Sequence, residues 1–296
     1  MKKQHRRRRK VEWKRLFRFF YNKIIYDKID AYAAQTSFYI IMSAAPFLVL
    51  LLAFLKFTPL TEELLLDAVS SLLSPLAPDV LEGVNDLVSS VYHGSFTTVS
   101  FAMISLFWVA GRSVMGLMNG LNTIWQVTEK RNYVIRRMIA SLYTVLLVFM
   151  IILACRVLLS GLSMQTLLLQ TFPQLKPVSR FFPYSQLLIA LLLMVIINMV
   201  FYTTLPNRRN YPLRQLPGSI FTTISWIVFT FFYTIYLNNA GNLSWLYGSL
   251  VTLVVTMLWL YFCMYLWFIG AEINAYRENP ETFEMVDRYM QARKFS

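Results

Sequence analysis

The feature that most constrains this chain is a set of six apolar runs, at residues 38–57, 97–117, 138–161, 185–205, 217–237 and 249–271. Coiled as helices, runs of about 20 residues match a ~30 Å hydrocarbon core. Their interiors, such as Leu48-Val49-Leu50-Leu51-Leu52 and Leu191-Leu192-Leu193-Met194-Val195, carry no period-2 alternation, which argues for helices rather than a lipid-facing barrel. The charged fraction is 15%, against about 25% in soluble domains. The predicted fold class is all-α: an integral membrane bundle of six transmembrane helices. The first run should act as a signal anchor, because 37 residues precede it with no short apolar core and processing site.

Orientation follows from where the positive charge sits. Of 28 Lys and Arg residues, 23 fall in the N-terminal tail, the loops after the second and fourth runs, and the C-terminal tail. The other three loops hold 2 between them. That asymmetry places both termini in the cytoplasm. The basic run Lys2-Lys3-Gln4-His5-Arg6-Arg7-Arg8-Arg9-Lys10 then needs no nucleic acid to explain it, since an anionic leaflet attracts the same charge. The expected division is a basic tail at 1–37, a membrane domain at 38–271 and a cytoplasmic C-terminal tail at 272–296.

Two further amphipathic elements are predicted. In the N-terminal tail, Trp13, Leu16, Phe17, Phe20 and Ile24 recur at spacings of three and four, with Lys14, Arg15, Arg18 and Lys23 at other positions. That pattern fits an interfacial helix on the inner leaflet or, equally, a helix packed on the protein's own loops. The first external loop, 58–96, carries six acids and no Lys or Arg, and its apolar residues read as two helices separated near Pro75 and Pro78. A structural cap is favoured there over a lid.

Polar groups at membrane depth are costly, about 2.5–3.5 kcal/mol for an Arg at a helix centre, so they mark the bundle interior. Arg112 lies well inside the second run, and Asn119 and Asn122 continue the same helix towards the cytoplasm. Asn198 sits deep in the fourth run and needs an interhelical partner, while Gln35, Thr36 and Ser37 open the first. Arg156 is close enough to the outer headgroups to snorkel. Glu272 abuts the apolar interior of the sixth run. It is expected either to pair with Arg112 or to cap the helix end in water.

Much familiar chemistry is missing. Cys155 and Cys263 both lie in apolar runs, which leaves no disulfide framework. The two histidines, His5 and His93, belong to opposite faces, and no Cys/His cluster has metal-ligand spacing. There is no Walker loop or dinucleotide-binding glycine motif. The chain is therefore expected to be no enzyme, with no metal, cofactor or nucleotide.

Short motifs give the chain a resemblance. They are Ala33-Ala34-Gln35-Thr36-Ser37-Phe38-Tyr39 with Ser43-Ala44-Ala45-Pro46, then Gly120-Leu121-Asn122-Thr123-Ile124-Trp125, Leu205-Pro206-Asn207-Arg208 and Leu216-Pro217-Gly218. Tyr247-Gly248-Ser249-Leu250 and Gly270-Ala271-Glu272-Ile273-Asn274-Ala275 complete the series. In this order, from Ala31 to Ala275, the chain resembles the YihY/BrkB family of bacterial inner-membrane proteins. The resemblance implies a six-helix bundle in the plasma membrane. The family once carried a ribonuclease label, and it supplies no catalytic residues to carry over.

The leading functional expectation is a transporter or lipid translocator for an amphipathic or anionic substrate. Arg112, Asn119, Asn122, Asn198 and Gln35 would line the substrate path, with Glu272 as counter-ion or protonatable gate. Membrane lipids are the expected partners, with the basic N-terminal tail on the anionic leaflet, and a homo-oligomer is compatible with this size. A non-catalytic envelope scaffold is the alternative, and a membrane-bound ribonuclease ranks third.

Overall fold

A computed structural model of the chain describes residues 2–55, 66, 86, 89, 96–146, 182–239 and 251–294. Among them there are helices and no strand. In chain order they are α1 (Lys2–Tyr26), α2 (Ile29–Leu55), α3 (Phe96–Ile124), a helical stretch α4 over 133–146, and α5 (Phe182–Thr204). A short 3-10 turn (Pro212–Gln215) leads into α6 (Leu216–Asn239), followed by α7 (Val251–Glu278) and α8 (Pro280–Lys294). Among the described residues two stretches are long and apolar enough to cross a membrane, Pro212–Leu237 and Leu253–Glu278, and Leu188–Thr204 is a shorter apolar helix. The helices expected over 58–95 lie outside the described residues except for single helical positions, as do Arg156 and the second half of the third run.

The helix α7 organises the bundle. It packs against α2, α3 and α6 along its length and meets α1 and α8 at its C-terminal end. Its buried residues explain this reach: Met264, Trp267, Phe268, Ala271, Glu272 and Ala275 recur at helical spacing, and Cys263, Gly270 and Asn274 widen the buried face. The pair α2–α3 closes one side, and α5–α6 closes the other. Small residues permit these approaches. A Cβ at Gly120 on α3 would lie 2.7 Å from Cζ of Phe268, so glycine is needed for the ring to reach the helix backbone. Outward, α6 presents Ile220, Ile224, Ile227, Val228, Phe231 and Ile235, an exposed apolar stripe that a hydrocarbon surrounding accommodates.

The N-terminal helix is docked on protein. On α1, Phe19, Asn22 and Lys23 are buried, as is Asp27 in the turn that follows, and Leu16, Phe20 and Ile24 are partly so. The ring of Phe20 stacks 5.2 Å from both Tyr276 and Phe283, and Asn22 Nδ2 donates to Asp287 Oδ1 at 2.7 Å. Arg18 and Arg15 reach Asp287 and Glu284 of α8, each at 3.2 Å. Of the two placements expected for this helix, the structure therefore forms the packed one, though against the C-terminal segment rather than the inner loops. Phe17, at 75% exposure, and Tyr21 and Ile25 stay outside the contact. One expectation is corrected here: Lys23 belongs to the buried face. The segment from 272 is helical, because α7 runs on to Glu278 and α8 folds back along α1.

Candidate functional site

Four polar clusters contain the residues singled out from sequence. The first is the seam between α2 and α3. Arg112, Gly116 and Asn119 follow one another along one face of α3, and Gln35 and Tyr39 are one turn apart on α2. Arg112 Nη1 donates to Tyr39 Oη at 3.0 Å, and its guanidinium lies 5.6 Å from that ring. Among the described residues Tyr39 is its one partner, and Arg112 is exposed. Gln35 is exposed too, with its amide carbon beside Gly116. The expectation that depth alone would bury Arg112 in the bundle is thus corrected. Its helix turns it outward, away from the face that carries Val114, Met118 and Leu121.

The second cluster ties loops together at the C-terminal end of α3. Glu129 accepts from Arg131 Nε and Nη2 and from Asn122 Nδ2, each at 2.8 Å. Asn122 Oδ1 accepts the backbone N–H of Asn207 at 2.8 Å, and Arg131 donates to the Leu205 carbonyl at 3.2 Å. Arg136 donates to Asn119 Oδ1 and lies 3.9 Å from Glu129. The hydrogen bonds from Arg131 hold the Glu129 carboxyl down to about 2. Nearby, Arg208 pairs with Glu278 and lies over the Trp125 ring at 4.5 Å. So Asn119 and Asn122 meet in one network, and Asn122 serves to join the loop after α3 to the loop after α5.

The third cluster is buried. Asn198 Oδ1 accepts from Trp267 Nε1 at 3.0 Å, and its Nδ2 donates to Thr223 Oγ1 at 3.4 Å. Tyr202 donates to the Trp267 carbonyl at 2.6 Å and contacts Thr222 Oγ1 at 2.8 Å. Asn198 is 2% exposed and both ends of its amide are occupied. It acts as interhelical glue between α5, α6 and α7, apart from the α2–α3 seam.

The fourth cluster holds Glu272. It is fully buried, and its cation is Lys23, whose Nζ stands 3.8 Å from Oε2. Lys23 also bonds Asp27, donates to the Ile124 carbonyl at 3.1 Å, and has Nζ 5.3 Å from the Phe283 ring. Both expectations for Glu272 are therefore corrected: it neither pairs with Arg112 nor caps a helix in water. Asp27 sits in the turn that Lys28 makes with a φ of 55°, and burial pushes its carboxyl up. Sequence reasoning missed Lys23 and Asp27. The available signal was their opposite charge at i and i+4, with Lys23 in register with Phe19, Phe20 and Ile24 on the buried side.

Several of these contacts join the very motifs that carry the family resemblance. Asn274 Oδ1 accepts the Gly218 N–H at 2.7 Å, and its amide donates to the Gln215 carbonyl at 3.1 Å. A Cβ at Gly116 would lie 2.9 Å from Thr36 Oγ1. The profile of the family described as Virulence factor BrkB matches residues 20–294. The chain belongs to that family. Among relatives, a protein of Bacillus subtilis named "Putative ribonuclease-like protein YfkH" is 25% identical over 253 residues, covering 82% of this chain and 88% of that protein. A "UPF0761 membrane protein" of Chlorobium luteolum is 25% identical over 270 residues, or 86% of this chain and 58% of that protein. One of Psychromonas ingrahamii is 22% identical over 263 residues, covering 87% and 85%. No solved structure matches the chain. As a BrkB-family chain with UPF0761 relatives, this is a membrane protein.

Proposed function

We propose that this BrkB-family protein moves an amphipathic, anionic substrate, most concretely a phospholipid, along the seam between α2 and α3. The observation that carries this reading is the placement of Arg112. It lies about 18 Å along α3 from the helix end, at 1.5 Å per residue, and it faces outward with Tyr39 as its one described partner. A guanidinium left in hydrocarbon is costly, whereas an anionic head group would satisfy its remaining donors. Gln35 and Asn119 extend the polar line towards the loops, and Arg136 meets Asn119 there.

In this reading the chain crosses the bacterial plasma membrane six times with both termini in the cytoplasm, as the six apolar runs and the distribution of positive charge support. The basic N-terminal segment would rest against the anionic leaflet, and the protein would catalyse no covalent chemistry. The competing reading, a non-catalytic envelope scaffold, draws support from the closed packing of α5, α6 and α7 around Asn198 and Trp267. The test is flux of head-group-labelled phospholipids in vesicles holding the purified protein, beside Arg112→Ala. Flux that falls in the variant supports translocation along the seam. Flux no greater than in empty vesicles, across anionic and zwitterionic lipids, favours the scaffold.

A further inference from the structure

The cluster around Glu272 does not balance its charges. One ammonium, Lys23, stands among two carboxyl groups, Asp27 and Glu272, and all three side chains are 0% exposed. Three of the four carboxyl oxygens have no donor: Asp27 Oδ1 and both oxygens of Glu272. Both carboxyls share that one ammonium: Lys23 Nζ bonds Asp27 Oδ2 and stands 3.8 Å from Glu272 Oε2. Two buried carboxylates on one cation repel, and one added proton relieves that repulsion and gives an O–H donor to oxygens that lack one.

Among the described residues the surroundings add no second cation. From α3 comes the Ile124 carbonyl, at the helix end where the dipole is negative. From α8 comes the Phe283 ring, while Asp287 is engaged by Asn22, Arg18 and Gln291. From α2, Tyr32 Oη is bonded to Thr123 and Asp30 is exposed. A metal cation would need a shell of oxygen ligands, but Lys23 already takes the Ile124 carbonyl. A proton needs no such shell.

We propose that Lys23, Asp27 and Glu272 form a binding site for one proton, held between the two carboxyl groups at the junction of α1, α3 and α7. The proton adds to an oxygen of one carboxyl as an O–H bond, that O–H donates to an oxygen of the other carboxyl, and the cluster becomes neutral. Because α1 meets α7 at this end of the bundle, loading the site holds the N-terminal helix in place. Emptying it leaves an uncompensated buried negative charge between the two helices. The site stands whatever the bundle carries.

Infrared spectroscopy of the full chain in phospholipid vesicles reads the site without any flux. The wild type is expected to keep the carbonyl stretch of one protonated carboxylic acid at a pH above the ordinary carboxylate range. That band should shift when glutamate or aspartate is labelled with carboxyl 13C, and should vanish in Glu272→Gln and in Asp27→Asn. The labelled wild type keeps the test decisive if either variant folds poorly. Absence of the band above the carboxylate range overturns the proposal, as does a band that survives in both variants. Loss of the wild-type band on adding sodium at constant pH overturns the choice of a proton.

Discussion

A Cβ placed on Gly270 of α7 would lie 2.8 Å from the carbonyl oxygen of Gly218 on α6, and 2.7 Å from Tyr202 Oη. The two helices cross with their backbones in contact, and Asn274 anchors that crossing by accepting the Gly218 N–H at 2.7 Å. Neither neighbour at Gly218 can retreat, since one is the Gly270 backbone and the other the bound Asn274 amide. Gly270→Ala and Gly218→Ala should each lower the unfolding midpoint in detergent, by about 1–3 kcal/mol or more. Gly111→Ala is the contrast. Its Cβ would meet only the flexible end of Arg137, at 3.4 Å, and its midpoint should stay near wild type.

Removing Lys23 should be worse than removing the whole cluster. Lys23→Met leaves Asp27 and Glu272 buried without a cation, and breaking a buried pair in this way costs about 3–5 kcal/mol. Lys23→Met combined with Asp27→Asn and Glu272→Gln removes every charge and should recover most of that loss. Unfolding midpoints of the single and triple variants measure the difference. A triple variant no better than Lys23→Met would mean that packing, rather than charge, holds α1 in place.

Acid should release the loop network around Glu129. Hydrogen bonds from Arg131 hold that carboxyl at about 2, below its ordinary 4.5. A depressed carboxyl stabilises the fold fully above its unfolded value and loses that contribution as the pH falls through the folded one. The contribution should fade between about 4.5 and about 2. Hydrogen exchange of the segments around 122–131 and 205–208 should accelerate across that window in wild type. In Glu129→Gln the same segments should already exchange faster at neutral pH and respond less to acid.

Asn198 and Trp267 should be energetically coupled. Replacing Asn198 by Leu leaves the Trp267 indole N–H without its acceptor and Thr223 without its donor. Interhelical hydrogen bonds of this kind contribute about 0.6–2 kcal/mol. A double-mutant cycle with Asn198→Leu and Trp267→Phe should return a coupling energy in that range. Additive losses would show that the bond contributes nothing beyond its packing.

What the sequence determined by itself was the helices and the solvent around them. Long apolar runs leave the backbone little choice in lipid, because each N–H and C=O must be satisfied within its own segment. The described parts of those runs are helical in the structure. The need of Asn198 for an interhelical partner was legible for the same reason, as a buried amide must find one. Periodicity also fixes which residues share a face of one helix, but it carries no information about which other helix that face will meet.

Tertiary structure decided that second question. Arg112 and Glu272 were the conspicuous opposite charges at depth, yet the turn of α3 aims Arg112 at Tyr39 on the outer seam. Glu272 instead faces Lys23, because α1 returns to the end of α7 and packs beside α8. Lys23 looked like one more member of a solvated basic face. Only the docking of α1 buries it, and burial is what turns an ordinary i, i+4 pair with Asp27 into the charged centre of the bundle's end.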